Sequence, residues 1–138
     1  MAEVRIIRSF SADMLVRIAG LYISAKWLTP GDDTSFLLPA LRGSCLVAGA
    51  FDEENNIIGV ARVLSDGCSD AYIQDVVVSP EFRGQGIGGQ LLKTLTTELK
   101  KMGVDWIGLV GEPGTEKFYS RQGWQAKKGF TLWQLENL

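Results

Sequence analysis

Residues 75–90 carry the densest chemistry in the chain: Asp75-Val76-Val77-Val78-Ser79-Pro80-Glu81-Phe82-Arg83-Gly84-Gln85-Gly86-Ile87-Gly88-Gly89-Gln90. An apolar strand-like run leads into a glycine-rich loop, and a helical apolar pattern begins at Ile87. The first turn of a helix leaves backbone N–H groups unpaired and carries a partial positive charge. Glycines let an anion approach that backbone closely. A phosphorylated ligand is therefore expected at this loop. Glycine at 84, 86 and 88 is more than a simple turn needs, and glycine in a helix start costs stability.

Gly84, Gly86 and Gly89 formally satisfy the dinucleotide pattern G-x-G-x-x-G. That pattern should open the first strand-to-helix turn directly after its strand. Here residues 79–83 intervene, and a hairpin precedes the motif where further parallel units are wanted. A P-loop needs Gly-Lys followed by Ser or Thr, and Gly88-Gly89-Gln90 does not supply it. The chain has no histidine, which excludes Ser-His-Asp and Cys-His catalysis and every histidine metal site. Proton transfer then falls to Asp, Glu, Tyr, Lys, Cys or water. No metal site is expected.

The elements that must position this loop follow from periodicity. A first strand is expected over 4–9. Ser11 can cap a helix over 12–27, with Leu15, Ile18, Ala19 and Tyr22 on one face. Residues 34–43 are helix-like but contain Pro39. Strands over 45–51 and 57–64 flank the polar turn 52–56 and make an antiparallel hairpin. A third strand covers 71–78. The clearest helix covers 87–102, with Ile87, Leu91, Leu95, Leu99 and Met102 on one stripe and Gly103 at its end. A strand over 104–110 should lie parallel to 71–78 through a right-handed crossover. A short helix over 115–122 and a last strand over 130–135 follow. The expected fold is α+β: a mixed, mostly antiparallel central sheet flanked by helices, with one parallel βαβ unit.

Composition agrees with a folded domain. The 138 residues (15.1 kDa) are 46% hydrophobic and 22% charged, which suits one domain over 1–138. The charge is 14 basic against 16 acidic side chains, net −2, so no nucleic acid is expected as a partner. Residues 1–80 hold 6 basic and 10 acidic side chains, and residues 81–138 hold 8 and 6. Lys117, Arg121, Lys127 and Lys128 form a run without an intervening anion, which is either a solvated face or an attraction for a small anion. Cys45 and Cys68 form no CxxC and are expected to be buried and free. Residues 1–6 do not read as a signal peptide, and no apolar run reaches the length of a membrane span. A cytoplasmic protein with no membrane partner is expected.

The order of elements resembles the GCN5-related N-acetyltransferase (GNAT) superfamily. The sharpest part is that family's acetyl-CoA loop, Arg/Gln-x-x-Gly-x-Gly/Ala, which stands here as Arg83-Gly84-Gln85-Gly86-Ile87-Gly88. A second match is Phe118-Tyr119-Ser120-Arg121-Gln122-Gly123-Trp124, which looks like the family's Phe-Tyr-x-x-x-Gly-Phe segment. The resemblance implies acetyl-CoA (coenzyme A) as cofactor, held by Val76, Val77, Val78, Arg83, Gly84, Gln85, Gly86, Ile87, Gly88 and Gly89. The backbone of the glycine loop would hold the pyrophosphate, Arg83 would brace or neutralise it, and the backbone at Val76, Val77 and Val78 would pair with the pantetheine arm like an added strand. In the family a bulge in this strand opens the cleft for the arm; nothing in the sequence reveals one. Glu112 stands where many members have Asn, and it is not assigned to cofactor binding.

The resemblance further implies Tyr119 as the general acid. A phenol of pKa ~10 stays neutral until it protonates a departing thiolate whose conjugate acid has a pKa of ~8.5. Asp75 is the side chain best placed to accept protons from the amine, with an ordered-water relay as the alternative. The implied reaction is acetyl transfer to a primary amine of a small molecule or peptide. A non-catalytic acyl-CoA sensor on the same fold is the alternative. Tyr22, Trp27 and Phe36 beside Asp32 and Asp33 would suit a cationic amine, or they are core and turn. Trp124, Phe130 and Trp133 are apolar enough to contribute to a homodimer or to fill a core.

Overall fold

A computed structural model describes residues 2–136. In chain order its elements are β1 (Glu3–Ile6), α1 (Ala12–Ser24), α2 (Leu37–Arg42), β2 (Leu46–Phe51), β3 (Ile57–Ser65), β4 (Asp70–Val78), a 3-10 turn (Pro80–Phe82), α3 (Ile87–Lys101), β5 (Trp106–Leu109) and α4 (Glu116–Arg121). The strands form one sheet in the order β1-β2-β3-β4-β5. The first three pairings are antiparallel. The crossover through α3 brings β5 beside β4 and makes the sheet mixed. The fold is thus the α+β arrangement expected from the pattern of elements.

Each helix forms for a local reason. Ser11 caps α1, its hydroxyl accepting from the Met14 amide at 3.1 Å. The buried face of α1 is Ile18, Ala19, Leu21 and Tyr22. Pro39 is the third residue of α2, within the first turn, where an N–H would have no intrahelical partner and its absence costs little. In α3, Ile87, Leu91, Leu92, Leu95 and Leu99 are buried. Met102, expected on that stripe, is the C-cap and is exposed.

The two faces of the sheet differ in side-chain size. Helices α1 and α2 pack Ile18, Tyr22, Leu37 and Leu41 against Val47, Phe51, Val60 and Val77. Helix α3 packs on the other face, where Gly59 meets Leu91 and Ala50. Small residues there leave room for α3 close to the sheet.

Residues up to Gly108 form one compact unit, and residues from Leu109 onward form a second. The second unit contains α4 and the turn after it. There the Trp124 amide donates to the Tyr119 carbonyl at 3.0 Å, and Gly123 takes the positive φ of +89° that closes the helix.

Two expectations are corrected. Residues 130–135 form no strand: they are irregular, with Phe130 85% and Trp133 89% exposed. Alternating apolar residues favour a strand only where a partner edge completes the ladder, and none pairs with this segment among the described residues. Both cysteines are free thiols, but neither is buried, and Cys68 is exposed in the turn between β3 and β4. That turn is organised by Asp66, whose carboxylate accepts from the Cys68 and Ser69 amides.

Candidate active site

The ladder between β3 and β4 breaks at one place. Val60 pairs with Val77 and Arg62 pairs with Gln74, so Asp75 and Val76 together face Ala61. One extra residue in β4 is a β-bulge, which bends the strand and leaves a residue outside the ladder. Asp75 takes the strain, with φ at +56°, a region unfavourable for residues with a Cβ but more accessible to Asp than to most. The bulge therefore lies at Asp75 and Val76 and leads directly into Val77 and Val78. Val77 is buried against the α1 side, and Val78 pairs with Gly59.

The Asp75 side chain is tied on two sides. Tyr22 Oη donates to Asp75 Oδ2 at 2.9 Å, and Arg62 Nε donates to the same oxygen at 2.6 Å. Arg62 Nη1 reaches Ser44 Oγ at 3.4 Å. Both bonds to Asp75 fall on Oδ2, so neither uses Oδ1. Tyr22 is a core residue whose phenol pKa is pushed far above its ordinary value, first by burial and then by the Asp75 charge. It is a protonated donor throughout the ordinary pH range.

After β4 the chain turns through Pro80–Phe82 and enters the glycine loop. Arg83 Nε donates to the Val78 carbonyl at 3.2 Å and ties the loop to the end of β4. Gly84 and Gly86 have φ of +77° and +80°, and a Cβ at either would meet nothing within 4 Å. Gly86 is the N-cap of α3 with no side-chain cap, and the first backbone bond into the helix runs from Gln90 N–H to Gly86 O. A 15-residue helix thus begins just after two glycines whose missing side chains leave open space. Such a cradle fits a pyrophosphate, through N–H donors and the helix dipole together.

In the second unit, Tyr119 is half-buried between Phe118 and Trp124, with ring centroids 4.9 Å and 6.4 Å away. Its ring also lies 3.6 Å from the position a Cβ would take at Gly111. Burial pushes its phenol pKa up, and the Glu112 charge adds to the shift. Thr115 Oγ1 donates to the Glu112 carbonyl at 2.6 Å and shapes the approach to α4.

One unit therefore brings together Asp75, Val76, Val77, Val78, Arg83, Gly84, Gln85, Gly86, Ile87, Gly88 and Gly89, and the other carries Tyr119. Asp32 and Asp33 accept from the Thr29 and Ser35 amides and so organise a turn. Tyr22 is core, Trp27 packs against it edge-on at 5.3 Å, and Phe36 is exposed. Sequence reasoning missed Arg62 and missed Tyr22 as a partner of Asp75. The available signal was Arg62 itself, a single cation inside the apolar run Ile57-Ile58-Gly59-Val60-Ala61-Arg62-Val63-Leu64. Among the described residues no group of His, Cys, Asp and Glu is arranged to hold a metal ion, and no helix is long and apolar enough to cross a membrane.

Known proteins share this architecture. The family model of the acetyltransferase (GNAT) domain matches residues 42–126. An uncharacterized N-acetyltransferase, ycf52, of Gracilaria tenuistipitata var. liui is 36% identical over 87 residues, covering 61% of this chain and 48% of that protein. The chain spans about half the length of the curated relatives it matches. Among solved structures, a probable acetyltransferase of unknown function, SA2161 of meticillin-resistant Staphylococcus aureus, superposes with a TM-score of 0.79 at 18% identity, with 100% of both chains covered. A predicted acetyltransferase from Clostridium acetobutylicum, solved with acetyl-CoA, superposes with a TM-score of 0.72 at 21% identity over 97% of this chain and 96% of that one. At these identities the structures speak for the fold, whereas the family model covers the bulge, the glycine loop and the Tyr119 segment in one match. The chain belongs to the GNAT acetyltransferase family.

Proposed function

We propose that the protein is an acetyl-CoA-dependent N-acetyltransferase acting on a primary amine of a small molecule or peptide, with residues 1–138 as one catalytic domain in a cytoplasmic setting. The observation that carries this reading is the left-handed Gly84 and Gly86 at the entry to α3, which follow a bulged β4 through the Pro80–Phe82 turn. Acetyl-CoA would supply an activated acetyl group as a thioester.

In this reading the amides of Gln85, Gly86, Ile87, Gly88 and Gly89 bind the pyrophosphate, with Gly84 shaping the turn. Arg83 braces the loop through Val78. The backbone of Val76, Val77 and Val78 aligns the pantetheine arm by strand-like pairing. An amide at Val77 or Val78 polarises the thioester carbonyl as its oxygen gains charge. Asp75 offers Oδ1 to the amine and accepts its proton directly or through water. The amine nitrogen forms the new bond to the acetyl carbon, the carbon–sulfur bond breaks, and Tyr119 gives its proton to the sulfur. The raised phenol pKa keeps Tyr119 protonated before the sulfur departs, while making it a weaker acid toward the thiolate.

The test is thiol release from acetyl-CoA over a panel of amines, alongside the melting temperature with acetyl-CoA or NAD. Release with at least one amine, together with stabilisation by acetyl-CoA, supports the reading. Stabilisation with no turnover on any amine would favour a non-catalytic acyl-CoA-binding module. Stabilisation by NAD alone would overturn the cofactor assignment.

A further inference from the structure

The bulge in β4 depends on a residue that is costly to keep there. Asp75 sits at φ +56°, and such a conformation persists only where the surroundings over-determine it. Here two donors hold the Asp75 side chain. Tyr22 reaches Asp75 from α1 and Arg62 reaches it from the neighbouring strand β3, both on Oδ2. Tyr22 is 5% exposed. The side chains of Arg62 and Asp75 are 18% and 26% exposed, so their pairing is screened less than a surface ion pair. Arg62 is itself steadied by Ser44, which precedes β2.

We propose that Tyr22 and Arg62 are positioning residues: together they clamp the Asp75 carboxylate, hold Asp75 in its left-handed conformation, and so keep the β4 bulge that presents Val76, Val77 and Val78 to the acetyl-CoA arm. The inference rests on the cofactor reading above for its last step only. The clamp ties three elements, α1, β3 and β4, to one carboxylate oxygen. Removing either donor leaves the other to hold a strained residue alone. β4 can then relax toward an even ladder with β3. An even ladder would shift the side-chain parity between Gln74 and Val77 and re-aim the amides on the cofactor side.

The test uses Tyr22→Phe, which keeps the buried ring, and Arg62→Leu with Arg62→Lys as its conservative counterpart. Two readouts are taken on the full chain: coenzyme A affinity by calorimetry, and hydrogen exchange of the Val76, Val77 and Val78 amides without ligand. Tyr22→Phe and Arg62→Leu should each weaken coenzyme A binding about 3- to 10-fold and speed exchange at these amides by a similar factor, with Arg62→Lys recovering part of both. A cycle with Asp75→Gly decides the route, because glycine adopts the bulge conformation without a clamp. Asp75→Gly should hold coenzyme A within about two-fold of wild type, and Tyr22→Phe should cause no further loss in that background. An unchanged affinity and exchange pattern in Tyr22→Phe would overturn the proposal. So would the same loss from Tyr22→Phe with and without Asp75. If the wild-type chain binds no coenzyme A, the cofactor reading fails, and the exchange data still decide the clamp.

Discussion

Leu91 on α3 lies so near Gly59 on β3 that a Cβ at Gly59 would stand 3.3 Å from Leu91 Cδ1, and also 3.3 Å from the Val77 carbonyl oxygen. Gly59 is also the ladder partner of Val78. The same glycine thus sets the helix-to-sheet distance and sits under the end of β4. Gly59→Val should overpack this contact and destabilise the fold by about 1–3 kcal/mol. Urea denaturation should show a lower midpoint at an unchanged slope. A stability within about 0.5 kcal/mol of wild type would mean that α3 shifts freely, contrary to the packing described.

Gly86 is the N-cap of α3 at φ +80°. Gly86→Asp adds strain and, more importantly, a negative charge where a pyrophosphate would sit. Wild type at ligand concentrations of about 100 times Kd should gain about 2.7 kcal/mol of stability. Gly86→Asp should lose that gain, as read by the melting temperature with and without acetyl-CoA. Gly86→Ala carries the strain without the charge and should keep part of it. Retention of the full ligand-induced shift in Gly86→Asp would remove the loop from the cofactor site.

The order of elements was legible because it depends on local pattern. Leu91, Leu95 and Leu99 recur at helical spacing, Ser11 supplies its own cap, and Asp52 and Asn55 make the polar turn of a hairpin. The glycine loop was legible for the same reason: Gly84 and Gly86 are consecutive-turn residues whose need for positive φ is a property of their own backbone. The β4 bulge was not. It is a register relation between Ala61 and the pair Asp75 and Val76, and Asp75 alone looks like any polar residue in a strand. The Tyr22–Asp75–Arg62 clamp was hidden likewise, since its members are 53 and 13 positions apart along the chain. Residues 130–135 show the reverse failure: their alternation describes a strand in waiting, but a ladder needs a partner that local pattern does not supply.

Tyr22 makes a prediction about alkaline stability. Burial, and then the Asp75 charge, raises its folded-state pKa above the unfolded value, so the folded protein holds this proton more tightly. The stability that follows is complete below about pH 10, where the unfolded tyrosine is still protonated, and drains as pH rises toward the folded value. Asp75 and Arg62 are the charged groups that face it. Tyr119 is raised too and adds a loss of the same sign in both proteins. Between about pH 9 and pH 11 the unfolding free energy of wild type should therefore fall more steeply than that of Tyr22→Phe. Parallel slopes would mean that the Tyr22 hydroxyl is not held as described.

Tyr119→Phe separates chemistry from packing. The Tyr119 ring stacks edge-on against Phe118 and Trp124, and phenylalanine keeps those contacts, so the melting temperature and acetyl-CoA affinity should stay near wild type. If the hydroxyl protonates the leaving sulfur, kcat should fall about 10²- to 10⁴-fold. The loss should be smaller with an acyl donor whose thiol is more acidic, because that thiolate needs less protonation. The pH profile gives an independent sign. Activity requires the protonated phenol, and its pKa is raised by burial and by Glu112, so the alkaline limb of wild type should lie above the ordinary tyrosine value of about 10 and should vanish in Tyr119→Phe. A rate within about two-fold of wild type, with chemistry shown to be limiting, would rule out the acid role. A loss of cofactor affinity that accounts for the whole effect would instead make Tyr119 a packing residue of α4.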